Sequence, residues 1–567
     1  MKKLTFGTPE KLKPSVFCKG FNYVEKSISY PIEKIEYNEN ARGCVLRLPL
    51  GKDEHIYGLG LQLKAFDLRN KKLTLRANAD PVTAAGDSHA PVPFFVSTAG
   101  YGIYVDTARY AEFYFGTAPK LQTDMEACSV STVGTSTDEI YAAKDYSMST
   151  ISIQIPAAKG VDIYIIEGDT ITDVVAQYNM LSGGGCDVPD WGLSTLYRCY
   201  SKYTDKQVLA LADEFKEDDF AVGTIGLEPG WQTHSYSCSF KWSERYPDPA
   251  AFAKKLREKG FHINLWEHAF THPTAPFYKE MIPYSGDYGV WGGLVPDFAL
   301  QEAKDIFANY HKQIVDLGID GFKLDECDSS DYTRCWSFPL LSEFPSGLDG
   351  EQYHSLFGVL YMQTMLQALG ETPTLSEVRN AGALSASYPF VLYSDLYEHK
   401  DFIRGCATAG FSGILWTPEL RDAQNKMELI RRLQATVFSV QCLINAWYCP
   451  DVPWRELDCA EEVKKLLAIR QQLKPMLAEA FKKYHNEGVA PVRALVSDFT
   501  ADTETYAIDD EYLFCEKLLV APIAVGESGR DVYLPQGGWC DYFTKEPVES
   551  GWHHIETDGI PVYERMD

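Results

Sequence analysis

Residues 306–326 read IFANYHKQIVDLGIDGFKLDE. Ile306, Tyr310, Ile314 and Leu317 recur at helical spacing and Gly318 stops the helix. The short apolar run that follows is strand-like and ends on acids. The same unit recurs upstream. Thr204 and Gln207 make a capping-box signature before an apolar face of Val208, Leu211, Ala212 and Phe215, and AVGTIGLEPGW (221–231) is the next strand. Phe252 and Leu256 share a helix face that ends at Gly260, and FHINLW (261–266) is again a strand. Strand alternating with helix over about 290 residues predicts a parallel (β/α)8 TIM barrel.

The flanks read differently. From about residue 40 the runs CVLRLPL, HIYGLG, KLTLRAN, PFFVSTAGYGIYVDT, STISIQI and DIYIIEG are short, β-like and separated by Gly, Asp, Ser and Thr turns. The Gly-rich joint SGGGCDVPDW (182–191) closes that part. After a last helix at 460–487, PVRALV, LLVAPIAV and DVYLP are β-like again. The expected order is an N-terminal β-sandwich (1–187), a catalytic barrel (188–487) and a C-terminal β-sandwich (488–567).

Composition narrows the function. A net charge of -26 argues against a nucleic-acid partner, which needs clustered Lys and Arg. No apolar run is long enough to span a bilayer, so no membrane partner is expected. The opening MKKLTFGTPEKLKPSV lacks a following apolar segment of the secretory kind, and a cytoplasmic address is the expectation. The 14 cysteines show neither CxxC pairs nor zinc-type spacing, which indicates free thiols rather than disulfides or a structural metal.

Chemistry in such a barrel sits where the strands end. Glu228 ends GTIGLE, Asp325 ends GFKLD and Asp395 ends PFVLYSD. Two carboxylates facing each other across a mouth are what glycosidic bond cleavage requires, one attacking the anomeric carbon and one protonating the departing oxygen. Taken singly, each acid reads equally as a helix N-cap or a solvated turn. Asp325, Asp328 and Asp331 also offer hard-oxygen ligands to Ca or Mg, without EF-hand spacing. Spacing alone yields an acidic barrel enzyme and no substrate.

DGFKLDECD (320–328) resembles the nucleophile motif of glycoside hydrolase family 31, with Asp328 where the motif ends in Glu. RNAGALSASYPFVLYSD (379–395) looks like the family's acid/base segment, its offsets agreeing from Arg379 through Pro389 to Asp395. YGLGLQ, PVPFFVSTAGYGIYV, RYPDPAAFAKKLREKGFHINLW, DDEYLFCEKLLVAPI and RDVYLPQGGWCDYFT resemble further family stretches in the right order, and the family's additional distal β domain is expected to be missing. The resemblance implies a retaining, exo-acting α-glycosidase with Asp325 as nucleophile and Asp395 as acid/base, a glycoside or oligosaccharide as substrate, and no metal or organic cofactor. Asp325 is expected ionised beside Lys323 or Arg379, and Asp395 protonated through burial and the charge of Asp325. Substrate binding is expected from Glu228, Trp231, Trp266, His268, Lys323, Asp328, Arg379, Trp416, Glu419 and Trp447, with Asp80 reaching in from the N-terminal domain and Trp291 as a further stacking wall. A homo-oligomer is compatible with the sequence.

Three departures from the family fall on sugar recognition. Glu228 replaces the usual Asp, TPELRDA (417–423) replaces DIGGF and puts Glu419 at its Asp, and INAWYCPDVPW (444–454) replaces the Arg-x-His clamp, with Asn445 or Trp447 as substitutes. Galactose, glucose and xylose therefore stay open as the bound sugar. The alternatives are an α-glucan lyase, which ends in elimination, and a noncatalytic sugar-binding barrel.

Overall fold

The computed structural model describes residues 1–79, 81–117, 149–328 and 336–566. Eight parallel strands form the central sheet: β1 (Thr195–Arg198), β2 (Val222–Leu227), β3 (His262–Glu267), β4 (Gly321–Leu324), β5 (Ser376–Val378), β6 (Phe390–Leu392), β7 (Glu419–Leu420) and β8 (Cys442–Asn445). Their spatial order is β6-β5-β4-β3-β2-β1-β8-β7. The ring closes where Leu392 of β6 bridges Trp416, just ahead of β7. The TIM barrel expected from the alternation is present.

Local chemistry sets the surrounding helices. The helix α1 (Asp205–Glu217) starts at the Thr204–Gln207 capping box, both halves of which form. Asp248 caps α2 (Pro249–Glu258), and Gly260 at φ +84° ends the turn beyond it. Next come α3 (Gln301–Val315), α4 (Gly350–Leu369), α5 (His399–Thr408), α6 (Lys426–Val437) and α7 (Ala460–Glu487). Between β5 and β6 the chain makes turns only, so that repeat has no helix.

The buried face of α3 differs from the periodicity reading. It carries Phe307, His311, Ile314 and Val315, whereas Ile306, Tyr310 and Leu317 are only half-buried. The reason is polar. His311 Nε2 lies 3.1 Å from Glu267 Oε2, whose other oxygen accepts from Tyr361 Oη at 2.7 Å, so an imidazole takes a core position that an apolar count skips.

The barrel interior is also unusually polar for a fold whose layers are mostly Val, Ile and Leu. Arg198, at the end of β1, donates to Glu228 Oε1 at 2.8 Å, to Glu377 Oε2 at 2.9 Å and to Asn264 Oδ1. Gly226 on the neighbouring strand makes room for it, since a Cβ there would stand 2.7 Å from Arg198 Cγ.

The N-terminal part packs two five-stranded antiparallel sheets around Leu46, Phe95, Ile103, Phe113, Ile153 and Ile163. The C-terminal part is a six-stranded antiparallel sheet plus a two-stranded antiparallel one (Gly529–Leu534 with Gly551–Glu556). One apolar cluster joins all three parts. In it Phe94 stacks on Tyr178 with centroids 4.0 Å apart, Tyr57 on Phe411 at 5.0 Å, and Phe438 meets Phe514 edge-on at 6.0 Å.

The base of the barrel is held by Arg470 of α7. Fully buried, it donates to the main-chain carbonyls of Leu193, Val437, Ser439 and Val440, which lead into β1 and β8. Its removal strands several buried acceptors. Arg470→Met is expected to lose roughly 3–5 kcal/mol of stability, read as a lower urea midpoint with secondary structure retained at zero urea.

Candidate active site

At the C-terminal ends of the strands lies a cavity of about 350 Å³. Its acids are Glu228, Asp325, Glu326 and Asp395; Lys323 lies among them, and Tyr236, Trp266, Trp291, Trp336 and Trp447 make aromatic walls. Two roomier grooves, of about 560 Å³ beside the end of α7 and about 640 Å³ on the N-terminal sandwich, lie away from the strand ends. Convergence, rather than size, singles out the mouth.

Asp325 follows β4 directly and both its oxygens are held. Oδ2 accepts from Trp266 Nε1 at 2.6 Å, and Oδ1 from Glu326 N at 2.9 Å and Arg379 Nη1 at 3.0 Å. Burial opposes its charge, but Arg379 and Lys323 outweigh burial and hold the carboxyl far below the usual range. Arg379, after β5, is the hub. Its Nη1 also reaches Asp395 Oδ2 at 2.5 Å, and its Nε donates to Asp328 Oδ2 at 2.9 Å. Because one nitrogen touches both carboxylates, their facing oxygens are separated by at most the sum of the two contacts, 5.5 Å.

Asp395 departs from expectation. Burial and the charge of Asp325 push its carboxyl up, yet Arg379 wins and Arg421, 3.7 Å from its other oxygen, adds to the effect, so the free site holds Asp395 below its ordinary value and ionised. Its side chain is 52% exposed against 8% for Asp325, so it faces the mouth and can meet a ligand's outer atoms.

Of the recognition residues read from sequence, Glu228, Trp266, Lys323 and Trp447 line the cavity. Lys323 Nζ lies 3.5 Å from both oxygens of Glu228 and 4.7 Å from the Tyr393 ring centroid. Asp328 and Arg379 stand behind the cavity wall as the support of the two acids. Four assignments are corrected. Trp231 is wholly buried with Nε1 on the carbonyl of Trp266, and Trp416 is buried against α5 with Nε1 on the carbonyl of Phe402; both indoles fill core. His268 is buried behind Tyr236 and Trp266, where burial pushes its pKa down to about 3 and leaves a neutral ring. Glu419 is likewise enclosed, paired with Arg421 and with Asn445 Nδ2 at 3.0 Å, and acts on the pocket through Arg421. Asp80 and Asp331 lie outside the described residues.

Glu326 was not expected in the pocket. In a continuing strand it would face away from Asp325, but β4 has ended, and φ +53° turns its side chain back to the cavity. Burial and then the charge of Asp325 push it up to about 8. Tyr236, Trp336 and Arg421 were missed for a plainer reason: they sit on loops with no periodic pattern to mark them.

Comparison with known proteins places these residues in context. Residues 187–480 match the model described as "Glycosyl hydrolases family 31 TIM-barrel domain", 488–567 the family's C-terminal domain and 30–113 its N-terminal galactose mutarotase-like domain. An alpha-xylosidase of Emericella nidulans is 23% identical over 90% of this chain and 66% of its own length. An alpha-glucosidase of Bacillus thermoamyloliquefaciens is 24% identical over 92% of this chain and 67% of its own. Among solved structures, a Flavobacterium johnsoniae dextranase superposes with a TM-score of 0.79 at 20% identity, covering 93% of this chain and 67% of that one. The chain thus spans about two thirds of the length of these relatives.

Arg379→Met tests the electrostatics. In the intact protein Asp325 and Asp395 sit below their ordinary values, so each contributes stability that is present above about pH 4 and lost as pH falls through its folded-state value. Without the guanidinium, burial and mutual repulsion raise both. The melting-temperature gap between wild type and variant is therefore expected to be smallest near about pH 4 and to widen toward about pH 8.

Proposed function

Because the chain belongs to glycoside hydrolase family 31, we propose that it is a retaining, exo-acting α-glycosidase that removes a terminal α-linked hexose or pentose. The observation that supports this most is the 5.5 Å ceiling on the distance between the facing oxygens of Asp325 and Asp395. Retaining enzymes hold their two carboxyl groups about 5–5.5 Å apart, whereas inverting ones leave room for a water.

Asp325, ionised and gripped by Trp266 and Arg379, attacks the anomeric carbon. Asp395 gives a proton to the leaving oxygen as that bond breaks. The covalent ester then cancels the charge of Asp325, which had been raising the Asp395 pKa, so Asp395 stays ionised after giving up its proton and is free to take one from the incoming water. Its ionised state in the free site suits this second half. For the first half it takes up a proton when a sugar fills the mouth and excludes water from the acids.

The floor of the cavity supports exo action. Lys323 and Glu228 close it, with Arg198 behind them, so a chain end can enter but not pass through. Glu228 is fixed by Arg198 at 2.8 Å, so its carboxylate and the Lys323 ammonium present a set pattern to sugar hydroxyls. Tyr236 and Trp447, 46% and 40% exposed, stand where the aglycone or next sugar leaves. The described cysteines are free thiols, nearly all buried, which suits the cytoplasmic address we propose with this activity.

A panel of aryl α-glucosides, α-galactosides and α-xylosides tests the reading. Turnover of at least one, with the α-configured sugar as first product by NMR and a 2-deoxy-2-fluoro or 5-fluoro inhibitor of the same sugar trapped on Asp325, is the expected outcome. Asp325→Ala should lose about 10⁴-fold or more. A β-configured first product, or no turnover of any member, would refute it. Glu228→Asp should change the ratio of kcat/KM between two sugars by about tenfold or more, because the shortened carboxylate leaves Arg198 or a hydroxyl unpaired.

A further inference from the structure

His89 belongs to the N-terminal sandwich, more than two hundred residues before Asp325 in the chain, yet it is wholly buried behind the catalytic pair. Both ring nitrogens are engaged. Nδ1 lies 2.8 Å from Asp328 Oδ2 and Nε2 lies 2.7 Å from Ser394 Oγ. Its carbonyl accepts from Asn380 Nδ2 at 2.6 Å. One residue thus touches the three loops that carry the nucleophile, the bridging arginine and the acid/base.

Each contact has a direct line to a catalytic group. Asp328 Oδ2 is the oxygen that accepts from Arg379 Nε, so the imidazole and the guanidinium share it, and Arg379 Nη1 goes on to Asp325 and Asp395. With that oxygen already accepting from arginine, Nδ1 carries a ring proton. Ser394 adjoins Asp395, its Oγ accepts from Leu396 N at 3.1 Å, and its carbonyl accepts from Arg421 Nη2 at 2.8 Å. The main chain on both sides of Asp395 is therefore pinned.

The presenting segment is itself held. Ser88 Oγ donates to the carbonyl of Leu61 at 2.6 Å, and Leu61 N donates to the carbonyl of Ala90 at 3.1 Å. Gly60, at φ +87°, permits this approach, since a Cβ there would stand 1.9 Å from the Ala90 carbonyl oxygen. His89 is fixed to the sandwich before it fixes anything in the barrel.

We propose that His89 is a positioning residue for both catalytic carboxylates, setting Arg379 through Asp328 and the Asp395 loop through Ser394, so that the N-terminal domain completes the active site. The inference rests on the assignment of Asp325 and Asp395 given above. Its two arms separate experimentally, because the Ser394 arm bears on proton donation and the Asp328 arm on the bridge to both acids.

The test uses full-length His89→Phe and Ser394→Ala and a series of aryl α-glycosides of whichever sugar the wild type accepts. A 2,4-dinitrophenol leaves without acid assistance, and a 4-methoxyphenol needs it. Ser394→Ala is expected to lose about tenfold more kcat/KM on the poor leaving group than on the good one. His89→Phe should lose on both, by about a hundredfold on the poor one. A loss uniform across leaving groups in Ser394→Ala, as a smaller folded fraction gives, overturns the proposal, as does no loss. If His89→Phe does not fold, Ser394→Ala decides. Crystal structures of the variants need no substrate: Arg379 Nη1 displaced from a carboxylate, or the Asp395 loop shifted, upholds the inference, and an unchanged arrangement overturns it. A wild type inert on every glycoside would sink the functional reading alone and leave the positioning to those structures.

Discussion

A single guanidinium stands among three carboxylates at the barrel mouth, and the site depends on it. Asp325, Asp328 and Asp395 all contact Arg379, which is itself 3% exposed. Crowded acids in a dry pocket repel and protonate unless a cation is placed between them. Arginine suits the place because its planar fork offers several donors at fixed angles, where a lysine would give one movable point charge. The short separation that suggests the reaction's stereochemistry follows from two carboxylates sharing one nitrogen of that fork, Nη1.

Beneath this hub the interior trades apolar packing for a charged lattice. Arg198, Glu228, Asn264 and Glu377 hydrogen-bond across the barrel, and Lys323 lies above them. Such a lattice is costly to desolvate and adds little net stability relative to hydrocarbon. What it confers is orientation. Glu228 reaches the cavity with one oxygen already committed to Arg198, so the groups facing a sugar are set before it arrives. Stability comes from elsewhere, including the apolar cluster shared by the three parts and the carbonyl-bound Arg470 at the opposite end of the barrel.

Much of this was legible in the chain because local rules and the tertiary structure agree. The Thr204 capping box and the stop at Gly260 are each decided within a few residues. Asp325, Asp395 and Lys323 could be placed because barrel strand ends converge. What stayed hidden depends on distant partners or on one dihedral. Glu326 enters the pocket through a left-handed φ, His311 takes a core position through Glu267, and His89 acts on residues more than two hundred positions away. Trp231 and Trp416 misled because an indole fills a core as readily as it stacks on a ligand, and the residue type alone does not separate the two. The protonation of Asp395 misled because repulsion from Asp325 was weighed without the nearer arginine.

The apolar cluster that runs from Tyr57 through Phe94, Tyr178 and Phe411 to Phe514 has one more consequence. Mobile multidomain enzymes flex at wet, polar seams between their parts. Here, among the described residues, aromatic packing joins the parts alongside polar ties such as Lys64–Asp401 and His89–Asp328, so the groups around the mouth share one packed frame with the domains that flank them.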